Sequence, residues 1–204
     1  MVVVVVGGHS RNVGKTSLMA GLITALREMN WTAIKITQYG HGICSAHGGE
    51  CDCAVDQHSF AISEERDRSG QSDSSRFLVA GAAVSVWVRT KQGMLGEAMP
   101  EIRRRLAGAR NIIIESNSIL RFLRPDVYLS VLDREQPDFK TSAQEFLDRA
   151  TAVVMHENGS GIPKWQNVSL RTVAGKPIFY VRPPEYCTPE IVEFIRDQLA
   201  TVGK

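Results

Sequence analysis

Three groups of residues in this chain have types and spacing that could do chemistry. The first is His9-Ser10-Arg11-Asn12-Val13-Gly14-Lys15-Thr16-Ser17. Gly-Lys-Thr between a run of valines and a helical pattern is the setting of a phosphate-binding loop, whose backbone N–H groups and helix N-terminus converge on one spot and attract an anion. In that reading Ser10, Arg11, Asn12, Val13, Gly14, Lys15, Thr16 and Ser17 cradle a nucleoside triphosphate. Lys15 sets its charge against the β- and γ-phosphates, and Thr16 gives its hydroxyl to magnesium. The usual spacing asks for glycine at position 9, where this chain has His9. Histidine is enriched at positive φ, so His9 is expected to take over the glycine's backbone conformation. The competing reading is a plain strand-to-helix turn with a lysine at the helix start.

The second group is His41, Cys44, His47, Cys51, Cys53 and His58. Thiolates and imidazoles are the ligands zinc prefers, four to a tetrahedral site. Cys44, Cys51, Cys53 and His58 would complete one, with His41 or His47 able to replace His58. The alternative is a polar loop with incidental cysteines. Cys187 stands apart, as a buried or idle thiol.

The third group is acidic. Glu115 follows three isoleucines, which puts it at the carboxyl edge of a buried strand, where ligands bind in doubly wound folds. There it could hold magnesium through water or orient an attacking water; a structural salt bridge is the rival role. Asp67, a further magnesium candidate, lies with Asp73 in a polar stretch, where both could equally be solvated loop acids. Lys35 either reaches the phosphates or ends its strand.

Elements to position these groups follow from periodicity. Strands are expected at 2–6, 31–36, 82–88, 111–115, 127–132, 152–156 and 178–181. Helices are expected at 15–29, 94–106, 142–149 and after Thr188, with Pro100 kinking or restarting the second. Residues 40–75 read as irregular. Alternating strands and helices, with the strands as short apolar runs, give an α/β fold with a mostly parallel sheet covered on both faces. The 204 residues suit one domain, with a Cys/His-rich insertion at about 40–62.

With 24 Lys plus Arg against 22 Asp plus Glu, no strong field points to nucleic acid or membrane. Arg103, Arg104 and Arg105 read as a solvated helix face. No stretch approaches the ~18–20 apolar residues of a membrane span, and residues 1–6 are too short for a signal peptide. The chain is therefore read as cytoplasmic, where structural disulfides are rare.

The order of motifs resembles a family. After the loop come Ala33-Ile34-Lys35, Asp67-Arg68-Ser69-Gly70, Asp73-Ser74, Ala80-Gly81-Ala82 and Ile112-Ile113-Ile114-Glu115. This resembles MobB, the molybdopterin-guanine dinucleotide biosynthesis protein B family of P-loop GTPases, over roughly residues 1–157. The chain departs from it at His9, at Ser116 where the family has glycine, and in the Cys/His-rich segment. The resemblance implies a P-loop NTPase of the dimerising, SIMIBI-like class. It would be a homodimer binding GTP with magnesium, hydrolysing it slowly, with an accessory role beside a partner protein in molybdenum cofactor biosynthesis. The sequence holds no Asn-Lys-x-Asp motif to read guanine, so ATP stays open. So do three other readings: a nickel-insertion type of metal-delivery GTPase, acting on a metalloenzyme-maturation partner; a small-molecule kinase; and a nucleotide-sensing interaction module.

Overall fold

A computed structural model of the protein describes residues 1–39, 59–158 and 161–202. Eight strands form one sheet: β1 (Val2–Gly8), β2 (Thr32–Tyr39), β3 (Phe60–Glu64), β4 (Val84–Lys91), β5 (Asn111–Glu115), β6 (Val127–Leu132), β7 (Ala152–His156) and β8 (Ile178–Val181). The strand order is β3-β4-β2-β5-β1-β6-β7-β8. Every neighbouring pair is parallel except β3–β4. The helices are α1 (Lys15–Ala25), α2 (Asp73–Ala80), α3 (Leu95–Leu106), α4 (Thr141–Phe146) and α5 (Pro189–Val202). Among the described residues no helix is long and apolar enough to cross a membrane.

The valine run explains why β1 is central. It carries no polar alternation, so it needs apolar cover on both faces. Val4 and Val6 pack in one cluster with Leu18 and Leu22 of α1, Phe77 of α2 and Ile191 and Ile195 of α5. Val3 and Val5 join the opposite cluster with Leu95, Met99 and Ile102 of α3 and Phe146 of α4. The alternation of the strand thus sorts one homogeneous sequence into two cores.

Two elements depart from the expected irregular stretch. β3 pairs antiparallel at the sheet edge and is only partly buried, so Phe-Ala-Ile-Ser-Glu never shows the apolar run of an inner strand. α2 carries ordinary helix signals: the Ser72 hydroxyl accepts from the Ser75 N–H, and Gly81 closes the helix at φ 110°. α3 runs through Pro100 as one helix.

Ile113 lies at the middle of β5 with no exposed surface. The variant Ile113→Ala is expected to lose about 2–5 kcal/mol of unfolding free energy by urea titration. A loss below ~1 kcal/mol would contradict this packing.

Candidate functional site

Strand register assembles the site. Val6 of β1 pairs with Glu115 of β5, and Glu115 pairs with Lys35 of β2. Three neighbouring parallel strands therefore set Val6, Glu115 and Lys35 side by side where β5 ends, near the loop that joins β1 to α1. The chain order reverses about β1, with β2 to one side and β6 to the other, and such reversals open a crevice at the carboxyl edge.

The loop is shaped by Asn12 (φ 57°) and Gly14 (φ 83°). His9 has no positive φ, so the expectation that it imitates a glycine backbone does not hold. Its ring is fully buried instead, packed 5.0 Å from both Phe139 and Trp165. Nδ1–H donates to the Asp138 carbonyl (2.8 Å), and Nε2 accepts the Asp133 N–H (3.0 Å). This pairing needs the neutral imidazole, and burial lowers the His9 pKa in the same sense. The ring is turned away from the crevice.

Other contacts brace the loop. A Cβ on Gly14 would sit 1.9 Å from Cε1 of Tyr186, so only glycine allows that ring to close on the loop. Asn117 accepts from the Gly8 N–H (3.0 Å) and donates to the Gly8 carbonyl (2.9 Å). His156 reaches the Val13 carbonyl with Nε2 (3.1 Å) and Asp133 with Nδ1 (3.2 Å).

The charged groups meet at the strand ends. Glu115, 3% exposed, accepts from the Thr16 hydroxyl (2.8 Å) with one oxygen and from Lys35 (2.5 Å) with the other. Lys35 also pairs with Asp73 at 2.7 Å. Burial works against the Lys35 charge, but Glu115 and Asp73 outweigh it and raise its pKa. Lys15 donates to the Ser10 carbonyl at 2.6 Å. Burial pulls its pKa down to about 8 despite Glu115, and repulsion from Lys140 and Lys35 adds to the fall.

Thr16, at the loop that joins β1 to α1 and bonded to an acid at the end of the strand next to β1, is the decisive juxtaposition. The fold is that of the P-loop NTPases. No family model and no curated protein sequence matches the chain. Three of the solved structures to which it is similar are as follows. HypB from Helicobacter pylori, in complex with nickel, is 12% identical over 98% of this chain and 86% of that one, with TM-score 0.48. LpxK from Aquifex aeolicus, in complex with ATP, is 17% identical over 88% of this chain, with TM-score 0.46; the chain spans 53% of it. MobB from Bacillus subtilis is 16% identical over 96% of both chains, with TM-score 0.38.

The sequence candidates divide clearly. Arg11, Asn12, Gly14, Lys15, Thr16, Ser17 and Glu115 line one open cleft of about 1190 Å³. The Ser10 hydroxyl donates away from it to Asp138 (2.9 Å), and the Val13 side chain is buried in the core. Their main chain still forms the loop. Asp67 is a correction: it is exposed, accepts from the Ser69 N–H at 2.9 Å and does not line the cleft. Asp73 stands there instead, at the first turn of α2. Cys44, Cys51, Cys53 and His58, with His41 and His47, lie outside the described residues. Among the described residues no group of three or more His, Cys, Asp or Glu could hold a metal ion. Cys187 is a partly buried thiol whose pKa burial pushes to about 11.

Sequence reasoning missed Asn117, Lys140, His156 and Tyr186. They come from four different loops and strand ends, and no local pattern marks them; only the topology gathers them at the loop.

The oxygens of Thr16, Glu115 and Asp73 suit a hard divalent cation. A threonine that gives its proton to a carboxylate keeps its lone pairs for such an ion. Removing the cation at position 35 leaves Glu115 buried without its partner. The variant Lys35→Met is expected to lose about 3–5 kcal/mol of stability. Thermal and urea melts matching the parent would contradict the buried pair.

Proposed function

We propose that the chain binds a nucleoside triphosphate with magnesium and hydrolyses it slowly. The observation that carries this reading is the loop itself: the N–H groups from Ser10 to Thr16 lead into the N-terminus of α1, with the partly buried Lys15 ammonium held to the Ser10 carbonyl and bonded to no carboxylate among the described residues. The inner phosphates would lie on those amides, where a helix N-terminus favours negative charge. Magnesium would be held by Thr16, with Glu115 and Asp73 near it, and would neutralise charge on the phosphates. Glu115, at the strand end, would orient the attacking water. Slow turnover follows from positioning and charge neutralisation alone.

The finer role rests on the order of sequence motifs. The run from Asp73-Ser74 to Ala80-Gly81-Ala82 supports an accessory function in molybdenum cofactor maturation, with GTP as the nucleotide and a homodimer as the working form. The motif does have a physical place in this fold. Asp73 opens α2 against Lys35, and Gly81 closes it in a left-handed turn that returns the chain to β4.

Titration calorimetry with GTP and ATP tests the binding. The parent is expected to bind at least one of them, and Lys15→Ala neither. Above pH 8 much of Lys15 is neutral in the free protein. Phosphates favour its ammonium form, so binding there should take up a proton, and the heat should vary with the buffer's ionisation enthalpy. Unchanged affinity in Lys15→Ala would reject the reading.

A further inference from the structure

Lys140 is the feature that the loop motif does not account for. It lies at the start of α4, partly buried, and lines the same cleft as Lys15 and Thr16. Its ammonium has no hydrogen-bond or ion-pair partner among the described residues. Burial, and then Arg11, push its pKa down, while Asp138 and Glu115 pull it up from a distance. Lys15 feels it in turn as a repulsive neighbour. The third lysine of the cleft, Lys35, is neutralised by Glu115 and Asp73. Two ammonium groups thus repel one another in one cleft, with no anion bonded to either among the described residues. That space suits a group with several negative oxygens, each able to take a charge-assisted hydrogen bond.

The backbone shows how Lys140 is held there. Its N–H donates to the His9 carbonyl at 2.8 Å. His9 also holds the Asp138 carbonyl through its ring and accepts from Asp133, and Ser10 donates to the Asp138 carboxylate. Four hydrogen bonds therefore fasten residues 133–140 to the first two residues of the phosphate loop. Two of them need the imidazole, which a glycine at position 9 would not supply.

We propose that Lys140 is a second phosphate-binding residue of this cleft, taking the terminal phosphoryl group of a nucleoside triphosphate, and that His9 is the positioning residue that hangs Lys140 over it. This deepens the nucleotide-binding reading and rests on it. The cation arrives from the α4 side of the same chain, so charge on the terminal phosphate is met without an arginine from a partner.

The test is calorimetry of the full chain with magnesium and four probes: a non-hydrolysable analogue of GTP, one of ATP, GDP and ADP. The parent should prefer the triphosphate of its base. Lys140→Met should weaken triphosphate binding roughly ten- to a hundredfold while leaving diphosphate binding within about twofold. Lys140→Arg should restore most of the preference. His9→Gly, which restores the usual loop spacing, should show the same selective loss. Equal losses for both phosphates in Lys140→Met, or no loss, would overturn the role of Lys140 while leaving the nucleotide reading intact. A His9→Gly variant that melts like the parent and keeps the triphosphate preference would overturn the positioning role. A parent that binds none of the four probes would overturn both readings together.

Discussion

Positive charge partly withdrawn from water, with no anion bonded to it among the described residues, is the constraint that organises this molecule. Lys15 and Lys140 face one cleft, and burial already weakens the Lys15 proton. An arrangement of that kind raises the energy of the free protein. It persists because the surrounding structure over-determines it: Lys15 is tied to the Ser10 carbonyl, and Lys140 is tied through its main chain to His9. On the proposed function, a polyanion would relieve the repulsion, and the same relief would supply affinity and order the phosphates.

The fold provides rigidity for this strained spot. β1 is buried from both sides, so the loop that leaves it starts from a fixed platform. Glu115 on the next strand has its charge balanced by Lys35 and is bonded to Thr16, which joins the end of β5 to the start of α1. Tyr186 and His156 brace the loop from the β7–β8 side, Asn117 from the β5 side, and residues 133–140 from β6. Four connections from one edge of the sheet converge on one turn, which is what a crevice at a topological reversal permits.

Much of this was legible in the sequence because it is local. Gly14-Lys15-Thr16 after a valine run fixes strand, loop and helix in seventeen residues. Three isoleucines before Glu115 place that acid at a buried strand end. β5, β6, β7 and β8 match their expected bounds, since each is a short apolar run with polar flanks. What local pattern cannot carry is partnership across the chain. His9 looked like a flawed glycine; its role emerged only with Asp133, Asp138, Phe139 and Trp165, more than a hundred residues away. Asp67 and Asp73 were indistinguishable as polar acids until the cap at Ser72 put one on a helix facing Lys35 and left the other in a surface turn. β3 stayed hidden because an edge strand need not be apolar.

The most direct measurement is a crystal structure of the protein with a non-hydrolysable nucleoside triphosphate and magnesium. The inner phosphates are expected on the amides of residues 10–16, the metal at Thr16, and the terminal phosphate between Lys15 and Lys140. A saturated crystal with that cleft empty, or with the triphosphate bound elsewhere on the chain, would contradict the account.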